Sequence, residues 1–187
     1  MASAILAAMR LELTKCVIRS FEWSDAASIA KHADNRAVWM NLRDLFPHPY
    51  TRQDANKWIM YLHKQGPAAT EFAIEVGDDV IGSIGFRIQK DMERHSAEIG
   101  YWLGQDCWGR GIATEALRAL THYAFSHYEQ LLRIYAYVFE WNTASMRVLE
   151  KCGYEREGWL RKSTIKVGKV IDQALYAKLR DTVDLIP

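Results

Sequence analysis

Two glycines stand two apart in Trp108-Gly109-Arg110-Gly111-Ile112-Ala113-Thr114, between a stretch with strand character and one with helix character. Glycine lets the backbone approach an anion closely, and the first amides of a helix meet that anion with the positive end of the helix dipole. Such a turn suits a pyrophosphate. A strand, glycine and helix succession also arises from packing alone, so the surrounding pattern has to decide. Two common nucleotide folds do not fit. A G-x-G-x-x-G fingerprint needs glycine where Thr114 stands, and no G-x-x-x-x-G-K-[ST] occurs in the chain.

The elements that must position this turn can be read along the chain. Alternation from Leu13 to Ser20 predicts a first strand, and Ser24 is expected to cap a helix beginning at Asp25. A second helical stretch, Arg36 to Arg43, runs into a proline-stiffened loop ending at Tyr50. Thr51 with Asp54 resembles a capping box for a helix that should stop near Gly66-Pro67. Phe72 to Val76 and Val80 to Ile88 flank Gly77-Asp78-Asp79 as a hairpin, with Gly82 and Gly85 suggesting a bulge or bend. Ala97 to Leu103 is a further strand leading into the glycine turn. The helix after it carries Ala113, Ala116, Leu117, Leu120 and Ala124 on one apolar face. Leu132 to Phe139 reads as a buried strand, and Asn142 caps a helix closed by Gly153. Tyr154 to Ile165 and Val170 to Leu179 form a closing hairpin. This order predicts a mixed α/β fold, a central sheet flanked by helices, as one domain over residues 10–187.

Composition narrows the function. The 187 residues are 49% apolar and 25% charged, as in globular proteins. With 24 Lys and Arg against 23 Asp and Glu, the formal net charge is +1, so no bulk field favours nucleic acid or anionic lipid. Cys16, Cys107 and Cys152 are far apart, with no C-x-x-C pair and no histidine at ligand spacing, which reads as a reduced, cytoplasmic, metal-free protein. The apolar opening stretch lacks the positive start of a secretory signal, and no run is long enough to span a membrane.

Two segments in the same order then carry a resemblance. Glu98-Ile99-Gly100-Tyr101-Trp102-Leu103 followed by Trp108 to Ala116 is similar to the acetyl-CoA segment of GNAT acetyltransferases. Asn142-Thr143-Ala144-Ser145 through Gly153-Tyr154 resembles its C-terminal partner in the RimJ/RimL style. The similarity extends from about Leu13 to about Leu179.

The resemblance implies an acetyl-CoA-dependent N-acetyltransferase with the GNAT acyltransferase fold. Tyr101, Trp102 and Leu103 would lie along the pantetheine arm where two strands splay. Trp108, Gly109, Arg110, Gly111, Ile112, Ala113 and Thr114 would form the pyrophosphate turn, and Asn142 would touch the pantetheine or acetyl region while capping its helix. Glu98 would be the base, because an amine attacks only when neutral and a lysine-like ammonium has pKa ~10.4. A structural acid bonded to a neighbouring strand is the other reading of Glu98. The resemblance implies an acceptor pocket drawn from Asn41, Arg43, Phe46, His48 and Tyr50; packing beneath the loop also accounts for the aromatics.

Two departures stand out. Asp106 occupies the place where the family's turn opens with Gln or Arg, so backbone amides must carry the anion. Leu149 stands where many relatives place a tyrosine that protonates the leaving thiolate; Ser145 could donate a hydrogen bond to the sulfur instead. The acceptor is expected to be a small-molecule amine or a peptide or protein N-terminus, and the protein a monomer or homodimer. The alternative is a degenerate GNAT domain that binds acyl-CoA as a sensor.

Overall fold

A computed structural model describes residues 9–180; the apolar opening stretch before them and residues 181–187 of the expected domain lie outside the described part. The strands are β1 (Arg10–Glu12), β2 (Val17–Arg19), β3 (Glu71–Val76), β4 (Asp79–Ile88), β5 (Ser96–Leu103), β6 (Arg133–Phe139), β7 (Glu155–Lys166) and β8 (Lys169–Leu179). The helices are α1 (Ala26–Ala33), α2 (Arg36–Trp39), α3 (Arg52–Gln65), α4 (Ile112–His127) and α5 (Thr143–Lys151). The strands form one mixed sheet in the order β1-β2-β3-β4-β5-β6-β8-β7, the expected class of fold. Strands β5 and β6 are parallel, in register at Ser96↔Arg133, Ala97↔Ile134 and Glu98↔Tyr135. Among the described residues no helix is long and apolar enough to cross a membrane.

The described residues form two compact units, one of 9–84 and 101–112, the other of 85–100 and 113–180. In the first, Phe21, Ile29, Ala33, Ile59, Leu62, Ala73 and Val80 build a core against which Phe46, Trp58 and Trp102 pack. Buried Arg19 ties this unit to its first turn: its two terminal nitrogens each donate to Asp25 at 2.8 Å, and Nε donates to Glu75 at 2.5 Å. Removing one partner of such a buried pair would strand a desolvated charge. In the second unit Ala116, Leu117, Leu120 and Ala124 of the expected α4 stripe are fully buried, while Ala113 at its start is half-buried. Arg180 donates to the carbonyls of Phe125, Tyr128 and Leu131, satisfying acceptors at and after the end of α4.

Three local expectations need correction. The first strand does not run from Leu13 to Ser20; Leu13 N–H instead bonds Cys16 O at 3.0 Å, closing a turn between the antiparallel β1 and β2. Ser24 is not the first cap. Glu22 and Asp25 form a reciprocal box around a 3-10 turn, with Glu22 N–H donating to Asp25 Oδ2 at 2.7 Å. Helix α2 ends at Trp39 rather than Arg43, its start capped by Asn35. The Thr51–Asp54 box at α3 and the Asn142 cap of α5 are present as expected, and Gly153 closes α5 with φ +78°.

Gly82 is a close approach rather than a bulge. A Cβ built there would lie 2.1 Å from Trp102 O and 2.8 Å from a Leu103 methyl, so β4 and β5 are spaced for a residue without a side chain. Gly82→Ala should therefore destabilise the protein by ~1–3 kcal/mol, the usual cost of overpacking. Urea unfolding of the two proteins measures this, and an unchanged midpoint would contradict the spacing.

Candidate active site

Strand β5 ends in a short 3-10 turn, Gln105–Cys107, and the chain then reverses through Trp108 to Gly111 to open α4. Gly109 and Gly111 have φ of +76° and +80°, the left-handed region that side chains resist. A Cβ on Gly109 would meet nothing within 4 Å, while one on Gly111 would sit 3.3 Å from Lys15 Nζ. The turn is held from two sides: Trp108 Nε1 donates to Leu103 O at 2.8 Å, and Lys15 Nζ donates to Arg110 O at 3.0 Å. Backbone curling around open space before a helix fits a phosphate group of a coenzyme.

The base of the turn is braced too. A Cβ on Gly104 would lie 2.4 Å from the His32 ring, so the two pack in direct contact. His32 Nε2 donates to Asp79 Oδ2 at 2.9 Å, and Lys31 Nζ donates to the same oxygen at 2.8 Å. The Lys31 bond first, and His32 second, hold the Asp79 carboxyl well below the usual carboxylate range. Asn35 Nδ2 donates to Gln105 Oε1 at 2.9 Å. Asp106 is exposed within that 3-10 turn. Cys107 is buried, and burial pushes its thiol up, which removes it as a nucleophile near neutral pH.

The five acceptor-loop residues divide in two. Phe46 stacks on Tyr50 with centroids 4.7 Å apart and meets Trp102 edge-on at 5.6 Å. Tyr50 is buried, and burial pushes its phenol up to about 12, so it stays protonated and serves as a wall rather than a base. Arg43 and His48 are exposed, and the His48 ring stacks on Trp39 at 5.2 Å. Asn41 Nδ2 donates to Ala37 O at 2.9 Å, which stops α2. Trp39 was not among the expected residues; its Nε1 donates to Phe46 O at 3.1 Å and so sets the loop's shape.

The second unit holds the remaining candidates. Glu98 Oε2 accepts from Arg87 Nη2 at 2.7 Å, on the face where Glu98 stands opposite Tyr135. Asn142 Oδ1 accepts Ser145 N–H at 3.1 Å, the ordinary capping bond. Ser145 is half-buried, whereas Leu149 is fully buried, so the family's tyrosine position faces the core here. Ala113 and Thr114 lie in the first turn of α4, and Thr114 O accepts the Cys152 thiol at 3.2 Å. Cys16, Cys107 and Cys152 are buried thiols outside any disulfide.

The depressed Asp79 pKa fixes the sign of a pH effect. A carboxyl lowered by folding adds stability that is full above its unfolded pKa and fades as pH falls towards the folded value. Asp79→Asn should lower the Tm at neutral pH, and the gap to the wild type should start to close below about pH 3.9. Thermal scans over this range test it; a gap as wide at about pH 2.5 as at neutrality would exclude the carboxylate as its source.

The acetyltransferase (GNAT) domain family matches residues 15–155. The uncharacterized N-acetyltransferase p20 of Bacillus licheniformis is 34% identical over 170 residues, covering 89% of this chain and 93% of its own. The [ribosomal protein uS5]-alanine N-acetyltransferase of Escherichia coli is 30% identical over 176 residues, 90% of each chain. A solved structure of Mycobacterium smegmatis RimJ in complex with CoA-disulfide superposes with a TM-score of 0.77 at 25% identity, covering 92% of this chain and 86% of that one. The family match, the sequence relatives and the glycine turn agree, and the chain belongs to the GNAT family as an N-acetyltransferase.

Proposed function

We propose that residues 10–187 act as one domain that transfers the acetyl group of acetyl-CoA directly to a primary amine, with a protein N-terminus as the favoured acceptor. The observation that carries the coenzyme assignment is the turn with left-handed Gly109 and Gly111 ahead of α4. A relative named for alanine N-acetylation of a ribosomal protein, matching nine-tenths of the chain, supports the acceptor class. The buried thiols outside any disulfide agree with work in a reducing cytoplasm. No observation favours the non-catalytic sensor.

In this reading the amides of Gly109 to Thr114 hold the diphosphate, and Tyr101, Trp102 and Leu103 line the pantetheine arm. Bound acetyl-CoA supplies an activated thioester. Asn142 keeps the first turn of α5 formed, so the Ser145 hydroxyl can stabilise the departing sulfur. Glu98 takes the proton from the attacking nitrogen, and the bond from Arg87 at 2.7 Å aims its carboxylate. An α-amine, with pKa ~7.7–8, needs less help from Glu98 than a lysine does. Phe46, Tyr50 and Trp39 shape the acceptor loop, and the exposed Arg43, His48 and the nearby Asn41 read the acceptor.

Two variants test the assignment. Calorimetry should show acetyl-CoA affinity strongly reduced in a folded Gly111→Val protein, because valine resists the +80° φ and its side chain crowds the turn. Retained affinity would remove the turn as the site. Glu98→Gln should keep acetyl-CoA binding while kcat/KM falls ~10²–10⁴-fold at neutral pH, and the deficit should shrink as rising pH neutralises the amine. Thiol release measured across peptide N-termini and small amines supplies both the acceptor and this profile; near-wild-type activity of Glu98→Gln would exclude it as the base.

A further inference from the structure

We propose that Lys15 is a positioning residue for the coenzyme turn: it orients the Arg110–Gly111 peptide so that the Gly111 amide faces the diphosphate. This rests on the reading of the glycine turn as the acetyl-CoA site. Lys15 lies in the turn between β1 and β2, far from the glycines in sequence, yet its Nζ donates to Arg110 O at 3.0 Å. A trans peptide points its C=O and N–H in opposite directions. Fixing the Arg110 carbonyl towards Lys15 therefore turns the Gly111 N–H away from Lys15. The Arg110–Gly111 peptide turns on ψ of Arg110 and φ of Gly111, and glycine at 111 leaves the second of these free to take either sign. Something outside the loop must choose one orientation, and the bond from the Lys15 ammonium does so.

The absence of a side chain at Gly111 serves the same contact. A Cβ there would sit 3.3 Å from Lys15 Nζ, close enough that the lysine tip would have to shift by a few tenths of an ångström. Gly111 thus admits both the left-handed turn and the lysine beside it. Electrostatics point the same way. The 3-10 turn before the glycines exposes the Asp106 carboxylate, and Lys15 brings a positive charge from another part of the chain to the next few residues.

The test compares wild type, Lys15→Met, Lys15→Arg and Gly111→Val by calorimetry with CoA, alongside the ligand-free Tm. Lys15→Met should raise the Kd for CoA about tenfold, ~1.4 kcal/mol, with the ligand-free Tm unmoved because the side chain is exposed. Lys15→Arg can still donate to the Arg110 carbonyl and should recover most of the affinity. An unchanged Kd in Lys15→Met, no recovery in Lys15→Arg, or a loss of affinity that follows a fall in Tm would each overturn the assignment. If Gly111→Val loses CoA while Lys15→Met keeps it, the turn is the site and Lys15 does not position it. If Gly111→Val binds CoA as the wild type does, the site itself is misplaced and the role of Lys15 falls with it.

Discussion

Everything in the proposed coenzyme site depends on two residues holding a backbone conformation that side chains resist. Gly109 and Gly111 carry φ of +76° and +80° within a three-residue span, immediately before the first turn of α4. Such a span has little intrinsic preference, since glycine loses more conformational freedom on ordering than any other residue. Its shape must come from its surroundings. The Trp108 indole fixes the entry by bonding the last carbonyl of β5, Lys15 fixes the middle, and the His32 ring against Gly104 sets the base. Asp79 then holds His32 and Lys31 together. Each brace is a hydrogen bond or contact within one compact unit, so the turn is prepared before any ligand arrives.

The candidate base is prepared in a different way. Glu98 sits on β5 where that strand pairs in parallel with β6, and its position is set by strand periodicity rather than by a loop. Its bond to Arg87 reproduces the structural reading of this residue, an acid tied to a neighbouring strand. The two roles are compatible. A carboxylate fixed by a guanidinium holds one rotamer, so it is oriented before an amine arrives.

Much of this was legible in the sequence, and the failures share a cause. Helix caps with a local signature, such as Thr51–Asp54 and Asn142, were found because donor and acceptor lie within three residues. Strand β5 and α4 were found because their apolar periods continue for at least two turns or pleats. The break between β1 and β2 was missed because Leu13 to Cys16 contains neither glycine nor proline and its alternation runs straight through the turn. Gly82 looked like a bulge because its reason, the Trp102 carbonyl, stands on the next strand. Lys15, His32 and Trp39 were missed for the same reason. Each acts on a segment remote or reversed in sequence, and no local pattern marks a lysine as the partner of a carbonyl 95 residues away.

The two departures from the family pattern become intelligible on these terms. A side chain that binds phosphate can be lost if the backbone does the binding and another group fixes the backbone. Asp106 stands exposed where a longer polar residue is usual, and the turn behind it is held without it. Leu149 is a different case, because its position is fully buried and packs into the core of its unit. A tyrosine there would have to place its hydroxyl among apolar side chains or find a new partner, a cost that leucine avoids. Loss of that hydroxyl leaves the half-buried Ser145, one turn earlier on the same helix, as the donor that α5 can offer. A thiolate needs only modest help to leave, its parent thiol having pKa ~8.5, so on the proposed reading Ser145 need supply no more than a single hydrogen bond. The oriented amides and the carboxylate on β5 are, on that reading, the parts the chemistry needs, and the accessory side chains are those that vary.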